Sequence, residues 1–333
     1  MSFRRRPESR VLNGLRNPWT PVFTGVTTSY EVGMDERQKK ELIGLLNKDV
    51  HFGCPMGPYT TFRVGGKAEA LCAVKDLRKL RDLLSFANRE SLPYLVVGKG
   101  SNLLVKDAGL KGLALLLEGE FGALEETEGV IQAGAGLGLA ELVRFSQKRG
   151  LAGLEFLAGI PGTVGGAVAM NAGAWGKSTG DVLARVEILT ADGQRVALNR
   201  SALGFGYRKT ALPVGSIVVK ARFKGTADRP EAIGERVRDY LERRKAGQPL
   251  EYPSAGSVFK NPPEDYAGRL IESVGLKGKR VGGAMISDKH ANVIVNVGGA
   301  SAEDILSLMN TARRRVREQT GIELEPEIKV VGG

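Results

Sequence analysis

The sequence predicts an α+β fold of two or three domains, and three observations carry that expectation. Short apolar runs alternate with amphipathic helical stretches from residue 55 to about 225. The composition then changes, and the remainder reads as loop, helix, strand, long helix and strand. The 45 glycines gather in a few segments instead of following a repeat, although a usual share is about 7%. A chain of 333 residues is long enough for more than one core.

The elements follow in order. Residues 1–33 are polar and basic, with five Arg against two Glu, and read as a disordered leader. Met34 reads as the natural start. Asp35 is a good N-cap for a helix carrying Leu42, Ile43, Leu45 and Leu46 on one face. Residues 69–75 read as a strand, and 76–90 as a helix with Leu77, Leu80, Leu83 and Leu84 inward. Strands are expected over 94–97, 112–117 and 130–133. Residues 139–149 read as a helix that Gly150 ends. A hairpin joins 185–190 to 195–198, and 216–224 is a further strand. Residues 231–246 form a charged helix. After it come a loop (248–262), a helix (267–274), a strand (291–297), a helix (301–320) and a last strand (322–331).

Charge and rare residues exclude several classes. Lys and Arg number 48 against 37 Asp and Glu, a net charge of +11. The excess is dispersed and no nucleic-acid-binding signature accompanies it, so it points to an anionic small molecule. Cys54 and Cys72 make neither a disulfide framework nor a metal set. With only His51 and His290, a His-rich metal site is excluded and a Ser–His–Asp triad is disfavoured. No apolar run reaches the ~20 residues that span a bilayer, and no signal peptide follows Arg4-Arg5-Arg6.

Two glycine-rich segments suggest a phosphate-bearing ligand. Val97-Gly-Lys-Gly-Ser-Asn-Leu-Leu104 follows a strand, as a phosphate-binding turn does. It is not the Rossmann fingerprint, because Leu103 stands at the last glycine position; Gly134-Ala-Gly-Leu-Gly138 fails at Leu139 in the same way. The second segment is Gly159-Ile-Pro-Gly-Thr-Val-Gly-Gly-Ala-Val-Ala-Met-Asn-Ala-Gly-Ala174. Its poverty of side chains would let a flat ring lie on the backbone, with the Asn171 amide to bond it. Two anion cradles in one chain suit the pyrophosphate of a dinucleotide.

Those two segments, Gly206-Tyr-Arg208, Ser254-Ala-Gly-Ser-Val-Phe-Lys-Asn-Pro262 and Leu324-Glu-Pro-Glu-Ile-Lys329 occur in the order found in one family. Over about residues 50–331 the chain resembles the UDP-N-acetylenolpyruvoylglucosamine reductases, and Glu251-Tyr-Pro-Ser-Ala-Gly-Ser257 resembles their second, shorter subtype. The leader departs from the family pattern, as does Met285, where a polar residue is common.

The resemblance implies a two-lobed FAD-binding domain of vanillyl-alcohol-oxidase type over 55–225, with lobes of about 55–125 and 126–225. A helix and linker (34–54) precede it, and a substrate-binding domain (226–333) follows. It implies non-covalent FAD, NADPH as co-substrate, and a UDP-sugar enolpyruvyl ether as substrate. The product would be a precursor of bacterial peptidoglycan. No histidine stands in the 98–102 turn to attach a flavin covalently. The protein is expected to be cytoplasmic and monomeric, with no nucleic-acid or membrane partner. An oxidase of the same fold, or a non-enzymatic binder of anionic polymers, is the alternative.

Site residues follow from the same match. Ser257 is the proton donor, with Arg208 and Glu327 as its catalytic companions. A serine can serve because hydride addition leaves a strongly basic carbon beside the carboxylate. Arg208 has the fork that matches a carboxylate. Glu323, Glu325 and Glu327 alternate on a strand, so period two puts all three on one face, and the resemblance alone selects Glu327. Candidate cofactor contacts are Arg63, then Val97, Gly98, Gly100, Ser101, Asn102 and Leu103, then Gly134 and Gly136. The second segment adds Gly159, Ile160, Pro161, Gly162 and Thr163, and then Gly165, Gly166, Ala167 and Asn171. Tyr207, Lys260, Asn261 and His290 are expected at the substrate, with Lys260 placed to stabilise a serine alkoxide.

Overall fold

Local capping signals set the first helices. Asp35 accepts the Gln38 N–H while the Gln38 side chain accepts the Asp35 N–H, and this box starts α1 (Glu36–Leu46). Leu42 and Leu46 are buried, but Ile43 lies one residue round the helix and faces solvent. Asp76 caps α2 (Leu77–Arg89), which buries Leu80, Leu83 and Leu84. The molecule is described here by a computed structural model covering residues 33–333; the expected leader lies outside these but for Gly33.

The first lobe is a four-stranded sheet with α1 and α2 packed on it. Its order is Val50–Pro55, Lys67–Val74, Leu110–Leu117, Tyr94–Val96. The first pair is antiparallel and the others parallel. The strand Val50–Pro55 is not among the expected ones, and its interrupting Gly53 sits at φ +59.

The second lobe is a five-stranded antiparallel sheet in the order Arg195–Asn199, Leu183–Leu189, Ile217–Lys224, Val130–Gly134, Leu124–Thr127. It carries α3 (Leu139–Lys148), which Gly150 ends at φ +65, then α4 (Val164–Met170) and α5 (Thr179–Val182). The charged helix α6 (Pro230–Gly247) was expected to open the C-terminal unit. It packs instead on α3 and on the core of the second lobe, through Val237 and Tyr240. The crossover into the third unit therefore follows Gly247, not residue 225.

That third unit holds α7 (Ala267–Ser273), α8 (Ala302–Thr320) and the sheet Arg280–Val281, Ala284–Ile286, Ile294–Asn296. Its core also takes in Phe62, Val64 and Leu104 from the first lobe. Asp107 of that lobe accepts the N–H groups of Ala302 and Glu303 at the start of α8 (2.9 and 3.0 Å). The strand Lys329–Val331 runs parallel to Leu103–Val105. The C-terminal unit is thus fastened to the first lobe at three places.

The last strand is shorter than expected. Only Lys329–Val331 is regular, because Pro326 offers no N–H and meets Phe259 in an isolated bridge. Period two therefore does not apply across 323–327. Glu323 pairs with Arg313 on α8, Glu325 with Lys260, and Glu327 turns inward.

Candidate active site

A cavity of about 550 Å3 opens where the two lobes and the C-terminal unit meet. The turn 98–102 forms part of its lining. The turn is tight because the chain packs it from outside. A Cβ at Gly100, where φ is +61, would lie 2.1 Å from the Tyr59 carbonyl oxygen, and one at Gly98 would lie 2.6 Å from Thr163 Oγ1. Among the described residues, no protein group accepts the N–H of Gly98, Lys99, Gly100, Ser101 or Asn102. Five consecutive free donors beside a cavity make an anion cradle.

A second part of the lining carries reactive side chains. Ser257, Arg208 and Glu327 all reach the cavity. Arg208 stands at φ +53 in a turn closed by paired bonds between Gly206 and Lys209. Its Nη1 donates to Gly173 O (2.8 Å). Its Nε lies 2.7 Å from Glu327 Oε1 but makes no aligned hydrogen bond, so the contact is one of charge. Burial pushes the Glu327 carboxyl above the usual glutamate range, against the pull of Arg208 and Lys260. The Ser257 hydroxyl has no protein hydrogen-bond partner among the described residues.

Three lysine and arginine side chains missed in the sequence reading also line the cavity: Lys99, Arg244 and Lys329. Arg244 bonds Gln248 through Nη1 (3.1 Å), while its Nε is buried without a partner. Burial, and then the charge of Arg208, holds its guanidinium below the usual arginine range. Lys329 opens onto the cavity, and desolvation there lowers its ammonium pKa. Lys99 and Lys329 stand inside quoted motifs. Arg244 had no signal beyond its place in the last turn of a charged helix.

The remaining expected contacts divide. Leu103, Gly159, Ile160, Pro161, Gly162, Thr163, Gly166 and Ala167 line the cavity with the cradle. Gly134, Gly136 and Gly165 do not: a Cβ there would meet Phe121 O, Leu117 O and Ala135 Cβ, so these are sites of chain-on-chain packing. Val97 is buried in the first lobe's core and Arg63 is exposed outside the cavity. Asn171 was expected to bond a ring, but its amide is spent inside the fold. It caps α4, donates to Gly206 O and accepts from Gly180 N–H (both 2.9 Å).

Of the four expected substrate residues, none lines the cavity directly. Lys260 lies close enough to act on the charge of Glu327 and is paired with Glu325. Tyr207 is exposed beside Arg208. Asn261 accepts the first N–H of α7 (3.1 Å). His290 is held within the C-terminal unit, where its Nδ1 accepts the Asn292 N–H and burial lowers its pKa.

A dinucleotide fits this lining. The cradle offers unused donors, Lys99, Arg244 and Lys329 bring positive charge, and Thr61 Oγ1 and Arg244 Nε are buried polar atoms awaiting partners. No histidine or cysteine lines the cavity, which accords with non-covalent binding. Among the described residues no cluster of metal-ligating side chains occurs, and no helix is long and apolar enough to cross a membrane.

Known proteins match along the same stretch of chain. The family described as UDP-N-acetylenolpyruvoylglucosamine reductase, C-terminal domain, matches residues 248–331, and the FAD binding domain matches 68–199. The UDP-N-acetylenolpyruvoylglucosamine reductase 2 of Symbiobacterium thermophilum is 46% identical over 280 residues, covering 84% of this chain and 91% of that protein. The reductase of Moorella thermoacetica is 46% identical over 278 residues, covering 84% and 92%. In structure, the chain is similar to the UDP-N-acetylenolpyruvylglucosamine reductase of Thermus caldophilus. The TM-score is 0.74 at 44% identity, covering 84% of this chain and 97% of the other.

Proposed function

The chain belongs to the UDP-N-acetylenolpyruvoylglucosamine reductase family, and on that premise we propose how its own residues carry the family's reaction. The reaction is the NADPH-dependent reduction of UDP-N-acetylglucosamine enolpyruvate to UDP-N-acetylmuramate, a step of peptidoglycan precursor synthesis. FAD, when bound, supplies the hydride that NADPH gives and the vinyl carbon receives.

The residues do the rest. The cradle 98–102, with Lys99, Arg244 and Lys329, holds diphosphate charge. Arg208 has one arm fixed on Gly173 O and offers the rest of its fork to the substrate carboxylate. The Ser257 hydroxyl gives its proton to the carbon beside that carboxylate as hydride reaches the neighbouring carbon. Lys260 and Arg208 offset the alkoxide that remains until solvent reprotonates it. Glu327, its carboxyl pushed upward by burial, orients Arg208 and the donor.

One observation carries this reading. An unpartnered serine hydroxyl, a fixed guanidinium and a recessed carboxyl share one cavity with an unused amide cradle. The charge of +11 suits ligands that are all anionic, so nucleic acid is not needed to account for it. We also read the protein as a cytoplasmic monomer. Anaerobic stopped-flow spectroscopy tests the assignment. NADPH should bleach the bound flavin, and the enolpyruvyl sugar nucleotide should restore its absorbance. A flavin that stays bleached overturns it.

A further inference from the structure

The segment Ser257–Lys260 runs between two stretches of chain and meets each of them in a single isolated bridge. On one side, Lys260 N–H donates to Glu325 O (2.8 Å) and Val258 O accepts the Glu327 N–H (2.9 Å). On the other side the chain at 292–293 meets it in an isolated bridge between Ser257 and Val293, with Val258 N–H on Asn292 O. That neighbour then ends, and Phe259 is left facing it with one N–H and one C=O. Both are taken by a single side chain. Asn292 Oδ1 accepts the Phe259 N–H (3.0 Å) and Asn292 Nδ2 donates to Phe259 O (2.8 Å). Asn292 is 2% exposed and does not line the cavity.

We propose that Asn292 is a positioning residue for proton delivery: its amide stands in for the missing strand and fixes the segment that carries Ser257 and Lys260. Among side chains of that size only the amide offers one donor and one acceptor from one planar group without first taking up a proton. A buried peptide unit without partners would shift to find them. Such a shift would move Ser257, two residues back, and Lys260, next in chain. It would also disturb Glu327, whose N–H is bonded to Val258. The cradle 98–102 has no bond to Asn292, and it touches the disturbed segment through the Asn102 side chain on Glu327 O, not through its own N–H donors. The inference rests on the assignment of Ser257 as proton donor.

The test uses the FAD-loaded full chain and separates the two half-reactions. Asn292→Asp keeps the shape and the acceptor but loses the donor. Flavin reduction by NADPH should stay within about twofold of the parent, while reoxidation by the enolpyruvyl substrate should slow about 10–100-fold, the scale of a misplacement near 1 Å. Amide exchange over residues 255–262 should quicken. Asn292→Gln, which restores both groups at a poorer reach, should be intermediate, and it carries the comparison if the Asp variant does not fold. In a Ser257→Ala background, Asn292→Asp should add nothing to the reoxidation defect, because both act through one proton.

Normal reoxidation in Asn292→Asp overturns the inference, as does equal loss in both half-reactions or a defect that multiplies with Ser257→Ala. If Ser257→Ala alone reoxidises normally, the donor assignment itself falls. The single variant thus tells the two failures apart.

Discussion

The stretch of cavity lining at 98–102 presents main-chain N–H groups, whereas the stretch formed by Ser257, Arg208 and Glu327 presents side chains. The first has its atoms supplied by the backbone, so almost any polar side chain there could be trimmed without removing a donor. Its weakness is addition, since a methyl group at Gly100 would meet the Tyr59 carbonyl at 2.1 Å. The second has the opposite weakness. Its chemistry sits in three side chains that removal destroys. The difference teaches where each kind of substitution should act: added atoms should harm cofactor retention, and deleted atoms should harm substrate turnover.

Ser257→Ala should give the largest effect. Reoxidation by substrate should fall about 10³-fold, within the range of general acid catalysis, while flavin retention and reduction by NADPH persist. Loss of flavin in this variant would break the division between the two stretches. Next comes Arg208→Lys, which keeps the charge but not the fork. It should lower kcat/KM about 10–100-fold, the scale of one charge-assisted hydrogen bond. Steady-state kinetics with the enolpyruvyl substrate would measure it.

Gly100→Ala should show the reverse pattern. Positive φ and the close carbonyl together should cost stability by at least about 1 kcal/mol, and the ratio of flavin to protein absorbance should drop on purification. A Gly100→Ala protein that keeps its flavin and loses only substrate turnover would contradict the comparison.

The smallest effect is a pH dependence. Because burial raises the Glu327 pKa, keeping this group protonated favours the fold below its ordinary value, and that advantage is lost as pH rises through the raised one. The melting temperature of the parent should therefore fall relative to Glu327→Gln as pH increases across this window. Parallel curves would show that Glu327 is not shifted.

The two stretches were not equally legible in the sequence. The main-chain stretch announced itself through Gly98 and Gly100, since glycine marks close approach. Gly134, Gly136 and Gly165 gave the same signal and are packed by other parts of the chain just as Gly98 and Gly100 are, but they do not line the cavity. Density of glycine cannot separate ligand from neighbour. Ser257, Arg208 and Glu327 are ordinary residues that only their shared motif order singled out, and three-dimensional closure brought them together. The N-cap Asp35 made the start of α1 readable. The short strands at 50–55 and 103–105 were hidden because their pairing is tertiary. Asn171 was read as a ring contact for want of any way to see Gly206 and Gly180 on either side of it.

The parallel pairing of Lys329–Val331 with Leu103–Val105 joins parts of the chain that are far apart in order of synthesis. Lys329 N–H bonds Asn102 O, and the Asn102 amide bonds Glu327 O. The ribosome makes the amide cradle long before it makes the residues that close it. Early segments of a nascent chain can fold as they appear, so the first lobe can be in place well before its flavin pocket exists. Cofactor capture then waits for the segment around Lys329, and a chain terminated before that segment should leave the ribosome colourless.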